Sequence, residues 1–211
     1  VGWDVRLANV SSGLPRLVVR RDSLPTGPTT TSSWTPQSTT NWPANYQWAA
    51  EKDWTQRTFS SDAAVDETGR ILAMGMGRPL EPGIYYVGVS NASPTNVAAY
   101  ALLSRGIGEG FDVPVVELPF AGSVTNLGLP AREAAYYRVV VPSNAPSWQV
   151  KLEALSGESM LVIMRQAVPN VKAITVNGTL AAGKGMQQQG NEHFVLLPGP
   201  GLAGLPPGTN Y

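Results

Sequence analysis

Trp3-Asp-Val-Arg-Leu7, followed by Gly13, Leu17-Val-Val19, Arg21 and Pro25, returns as Trp148-Gln-Val-Lys-Leu152, Gly157, Leu161-Val-Ile163, Arg165 and Pro169. The offset is 145 residues at the tryptophans and 144 from the glycines onward, so one residue is gained or lost at a turn. A second match sets Leu80-Glu-Pro82-Gly83-Ile-Tyr-Tyr86 against Leu205-Pro-Pro207-Gly208-Thr-Asn-Tyr211. Such self-similarity marks a modular chain. Trp3, Val5 and Leu7 alternate with Asp4 and Arg6, the period of a half-buried strand. Leu17-Val-Val-Arg20 and Leu161-Val-Ile-Met164 are apolar and rich in β-branched residues, which suits a central strand of a sandwich.

Outward from this repeat, almost every segment reads as strand. Pro82-Gly83 ahead of Ile84–Val89 is a turn, because proline presets φ and glycine accepts a positive one. Asn177-Gly178 between Ile174-Thr-Val and Thr-Leu180 predicts a hairpin. Tyr136-Tyr-Arg-Val-Val-Val141 is a strand that Pro142 ends, since proline has no ladder donor. Tyr46 to Asp53, with Ala49-Ala50-Glu51-Lys52, predicts the one helical turn. Ser104–Gly110 holds three glycines and predicts a linker, dividing modules at 1–106 and 107–211. The second copy is preceded by Ala134–Val141, which has no counterpart before Val1. The first is followed by Val87–Ser90 and Tyr100–Leu103, which have none after Tyr211. The expectation is a window onto a longer protein, lacking N-terminal strands in its first module and C-terminal strands in its second. Sheet edges bared in this way invite pairing, in cis or with another chain.

Composition narrows the function classes. Fifteen basic and fifteen acidic residues cancel, and charged residues make up 14% of the chain. No field steers nucleic acid to the surface, so no nucleic-acid partner is expected. No apolar run reaches the about 20 residues of a membrane helix, so no membrane insertion is expected. Cysteine is absent, which removes disulfides and thiolate metal sites.

Together, Tyr136–Pro142, Trp148–Leu152, Gly157 with Leu161–Arg165 and Pro169, and Pro82–Val89 of the first copy resemble bacterial pre-peptidase C-terminal domains. The resemblance covers nearly the whole chain as about one and a half modules. It implies jelly-roll-like β-sandwiches appended to secreted proteases or large surface proteins. Members of that family often carry acidic residues before the second strand that contribute to calcium sites. Here Pro15 and Arg16, and Ser159 and Met160, stand there instead, a departure that argues against calcium at that place.

The first copy holds 19 more residues than the second between matched prolines (57 from Pro25 to Pro82, 38 from Pro169 to Pro207). Trp34, Trp42, Trp48 and Trp54, with Tyr46, cluster in this insertion, about 29–54. Flat indole faces on a polar loop suit stacking on sugar rings or anchoring a protein partner. The competing expectation is that they fold back over a sheet, as tryptophans commonly do. Asp62, Asp66 and Glu67 are the acidic candidates for calcium, though their spacing matches no EF-hand loop. Glu51 and Asp53 form another acidic pair, whose ordinary role is a solvated loop. His193 is the single histidine, on an alternating stretch whose first-copy counterpart is near Arg70, and it reads as an exposed strand residue. No Gly-x-Ser-x-Gly elbow and no phosphate-binding glycine loop is present. Asn9, Asn91 and Asn177 head formal glycosylation sequons and read as turn residues.

These features and the resemblance together predict an all-β chain of tandem jelly-roll-like antiparallel β-sandwich modules, non-catalytic and without catalytic residues or cofactor, acting as spacer, adhesion or assembly units of a large secreted or cell-surface bacterial protein. The expected partners are neighbouring modules or an edge-strand partner. The alternatives are a polysaccharide- or protein-binding module using the tryptophan loop, and an accessory domain of a secreted peptidase.

Overall fold

The computed structural model describes residues 2–27, 47–50, 70–75, 80–130, 133–169, 184–186 and 190–210. The fold is all-β. In the first half β1 (Gly2–Ser12), β2 (Pro15–Arg21), β3 (Gln47–Ala49), β4 (Ile71–Gly75), β5 (Tyr85–Asn91) and β6 (Ala99–Ile107) form two three-stranded sheets, ordered β4-β1-β6 and β3-β2-β5. Every pairing in them is antiparallel. Val5 and Leu7 of β1 meet Leu17 and Val19 of β2 and Trp48 of β3, with Trp3, Tyr85, Val87 and Val89 closing the cluster. The alternation of the opening stretch is thus the inner face of a sandwich.

The second half repeats this plan. It contains β7 (Val115–Glu117), β8 (Tyr136–Val141), β9 (Trp148–Leu152), β10 (Leu161–Ile163), β11 (Lys184–Met186), β12 (Glu192–Leu196) and β13 (Gly208–Asn210). β9 pairs β12 as β1 pairs β4, and β10 pairs β11 as β2 pairs β3. The core gathers Val139, Val141, Trp148, Ile163, Phe194 and Leu205, with Phe120 stacked on Trp148 at 6.5 Å.

The repeat holds down to single hydrogen bonds. Asp22 N donates to Ile84 O at 2.9 Å, and Gln166 N to Thr209 O at 2.8 Å. Both donors have a left-handed backbone, φ +62° and +66°. Arg21 donates to the Pro82 carbonyl at 3.2 Å and Arg165 to that of Pro207 at 3.1 Å. Each arginine thereby fastens the Pro-Gly turn that opens the strand beside it. The two copied arginines are structural pins, and their recurrence with Pro-Gly follows from that job.

Gly13 and Gly157 occupy equivalent turns with φ +74° and +71°. Their surroundings differ. A Cβ on Gly13 would stand 2.6 Å from Ala98 Cα, whereas one on Gly157 meets nothing within 4 Å. Gly157→Ala will therefore cost only the left-handed conformation, about 1–2 kcal/mol. Gly13→Ala will cost distinctly more, because backbone must also move; urea midpoints of the two variants check the order.

Three expectations are corrected. Gln47–Ala49 is strand β3, not part of a helical turn, because it adds to the free edge of β2 and buries Trp48 against Val19. Ser104–Ile107 is not linker but the last part of β6, laddered to Gly2–Val5. Gly106 is small because Phe111 folds back onto it; a Cβ there would lie 2.5 Å from the ring. The 106/107 boundary thus falls within a strand, and the chain reverses only at Gly108–Asp112. Third, Asn9 is not in a turn but within β1, at its register shift with φ +52°. Asn91 does cap a turn, its Oδ1 accepting from Leu14 N and Ser93 N. The 174–180 hairpin lies outside the described residues.

Candidate functional site: a charged junction and two open edges

Successive strand residues face opposite ways, so Asp4 and Arg6 share the side of β1 away from the sandwich core. That side is not solvent. Asp4 is 3% exposed and Arg6 8%, whereas Gln149 and Lys151 at the same places in β9 are exposed. Arg6 Nε donates to both Asp4 oxygens at 3.1 and 3.0 Å, and its Nη1 reaches Glu133 Oε1 at 2.9 Å. Arg105 of β6 donates from Nε to Asp4 Oδ2 at 3.0 Å, and from Nη2 to the same oxygen and to Glu133 Oε2, the last at 2.8 Å. Two cations and two anions alternate in a closed ring. Three members belong to the first half; Glu133 comes from the segment entering β8.

Directly beside the ring lies a small apolar cluster of Ile107, Tyr136 and Val168, with Val113, Val115 and Ala134 packed on it. Ile107 bridges Val113 and so continues β6 towards the second half. The junction is therefore sealed by charge on one side and by hydrocarbon on the other. Burial opposes the charge of Arg105, but hydrogen bonds to Glu133 and Asp4 outweigh it and raise its pKa. Burial also pushes the Tyr136 hydroxyl well above the ordinary tyrosine range; Asp4 adds to the rise, and Arg6 and Arg105 oppose it.

The tyrosine carries a pH prediction. A folded pKa raised above the unfolded one gives stability that is complete below the unfolded value and lost as pH rises towards the folded one. Above pH about 10 the unfolding free energy will fall by about 1.4 kcal/mol per pH unit from this residue. Tyr136→Phe will remove that slope, as alkaline urea titrations can show. Tyr85, raised by its burial and eased by Arg21, adds a slope of the same sign that survives the substitution.

The second feature is the sheet edges. β13 pairs β8 through Gly208↔Val141, Thr209↔Val140 and Asn210↔Val139. Its first-half counterpart, β5, pairs β2 alone, and no strand among the described residues lies on its other side. Conversely, β1 carries β6 on the side away from β4, whereas among the described residues β9 pairs only β12. Among the described residues, each half thus holds a strand that the other lacks.

Of the aromatic candidates, Trp34, Trp42, Tyr46 and Trp54 lie outside the described residues, as do Asp62, Asp66, Glu67, Glu51 and Asp53. Trp48 is described, and at 2% exposure it packs in the first core. Its indole covers a sheet and offers no face to a ligand. His193 is exposed on β12 opposite Lys151. By ladder register its counterpart is Ile71, one residue on from Arg70. Sequence reasoning passed over Asp4, Arg6, Arg105 and Glu133. The available signal was the change from Asp4 and Arg6 to Gln149 and Lys151 within an otherwise matched strand. Gln47 was also missed: buried at 1%, it accepts from Thr26 N and donates to Gly27 O, both at 2.8 Å, and ties down the exit from β2.

No protein-family model, no curated protein and no solved structure matches the chain.

Proposed function

We propose that the chain is a non-catalytic β-sandwich array segment of a large secreted or cell-surface bacterial protein, serving as a spacer and assembly unit. The carrying observation is the junction: a closed ring of Asp4, Arg6, Arg105 and Glu133 spanning the two repeats, above the Ile107–Tyr136–Val168 cluster. A spacer must transmit position, and charges shared across a module boundary, with little side-chain freedom left, resist bending there. Where β1 and β9 match in backbone but differ in outward charge, the difference falls on the residues that meet the neighbouring unit. That is how stacked repeats divide labour between a common core and specific contacts.

NMR relaxation on the whole chain tests the reading. The amides of both halves are expected to report one rotational correlation time, and Glu133→Ala to separate them. Independent tumbling of the unaltered halves would defeat the spacer role.

A further inference from the structure

We propose that the outer edge of β5 is a docking site for one more antiparallel strand, of the β8 type, supplied by the polypeptide immediately ahead of β1. The inference rests on the modular reading and adds the occupant, its direction and its register.

The second half shows the filled state. Pro207, Gly208 and Asn210 correspond to Pro82, Gly83 and Tyr85, and the pins from Arg165 and Arg21 place both strands alike against their inner neighbours. The backbone parity agrees as well. Ile84 O accepts from Asp22 N and Ala92 N donates to Leu14 O, so even-numbered residues of β5 bond β2. Tyr85, Val87 and Val89 therefore turn their N–H and C=O groups outward. Thr209 O likewise faces inward, accepting from Gln166 N, which leaves Gly208 and Asn210 to bond β8.

Carrying the β13–β8 register onto β5 sets the incoming equivalents of Val141, Val140 and Val139 opposite Gly83, Ile84 and Tyr85. The equivalents of Arg138, Tyr137 and Tyr136 then fall opposite Tyr86, Val87 and Gly88. Ile84, 63% exposed, gains a β-branched cross-strand neighbour in this arrangement, as Thr209 has in Val140. In β8, Val139 and Val141 point into the sandwich and Val140 outward, while Tyr136, on the face of Val140, is buried at the junction with Ile107 and Val168. The occupant is therefore a strand with branched apolar residues at those two inward places. Supply from directly ahead of β1 follows from the second half, where Pro142–Ser147 alone separates β8 from β9.

The test is a fusion placing a copy of Ala134–Ser147 directly before Gly2 in the full chain, followed by amide exchange. In the unfused monomer the Tyr85, Val87 and Val89 amides are expected to exchange fast. In the fusion they should slow by about tenfold or more, one ladder hydrogen bond each. Val139→Pro in the added copy should reverse the slowing. A synthetic Ala134–Pro142 peptide added to the unfused chain should slow the same amides, and serves if the fusion does not fold.

Amides already slow in the unfused monomer would mean that the chain fills its own edge. Slowing of the unfused chain only where it dimerises would make a second copy the occupant. No slowing with either fusion or peptide would mean that no such site exists. Each of these overturns the inference. Relaxation on the same samples reports whether the halves tumble together, so loss of docking and loss of the spacer reading are read separately.

Discussion

Alanine in place of Asp4 is expected to destabilise the protein by about 3–5 kcal/mol, the cost of stripping one partner from a buried ion pair. The size follows from what is left behind. Asp4 accepts from Arg6 and Arg105 at once, and its side chain is 4% exposed while that of Arg6 is 10%. Removing it leaves two neighbouring guanidinium groups with Glu133 as the one carboxylate of the ring, in a place that water reaches poorly. Arg105 and Glu133 sit nearer the rim, at 26% and 23%, and Glu133→Ala should cost less. Replacing Asp4 and Arg6 together by leucine and methionine should restore most of the loss, because a buried pair exchanged for hydrocarbon is often neutral. Urea unfolding of the three variants decides the matter. A loss under 1 kcal/mol for Asp4→Ala would mean that the ring is a solvated surface cluster, and that the junction is held by Ile107, Tyr136 and Val168 alone. Salt should change little, since screening acts on exposed charges.

That ring also shows where reading a sequence stops. The strands of the sandwich were legible because alternation of Trp3, Val5 and Leu7, and of their copies, states which face is core. The Arg21–Pro82 and Arg165–Pro207 pins were legible as recurrences, though not as hydrogen bonds. The fate of Asp4 and Arg6 was not legible, since alternation says only that they oppose Val5. What covers them comes from Glu133, 127 residues beyond Arg6. Composition misled twice for related reasons. The alanines around Ala49 favour helix locally, but the open edge of β2 supplies hydrogen bonds that outweigh propensity. The glycines of Ser104–Gly110 suggest a linker, yet Gly106 is a strand residue kept small by Phe111. In each case the ladder partner that makes the segment a strand is distant in sequence, β2 for Gln47–Ala49 and β1 for Ser104–Ile107.

Trp48→Ala carries the other large expected effect, a loss of about 3–5 kcal/mol, typical of emptying a buried aromatic site. The indole lies at 2% exposure across the ladder from Val19 and fills the space above Val5, Leu7 and Leu17. Lys184 takes the equivalent ladder place in the second half, opposite Ile163. The substitution separates two roles that the residue type allows. A core tryptophan emits at short wavelength and resists iodide, and its loss lowers the urea midpoint with or without any sugar polymer. A stacking tryptophan is quenched by iodide, shifts on adding polymer, and can be removed at little cost to folding. Trp48→Phe refines the comparison, because phenylalanine keeps most of the hydrophobic volume and should recover over half of the stability. A midpoint unchanged by Trp48→Ala would contradict the packing of β3 on β2, and with it the reason why Gln47–Ala49 is strand. Should the loss be as large as expected, any carbohydrate contact must fall to aromatics other than Trp48. The first sandwich would then owe its additional tryptophan to the sheet it covers.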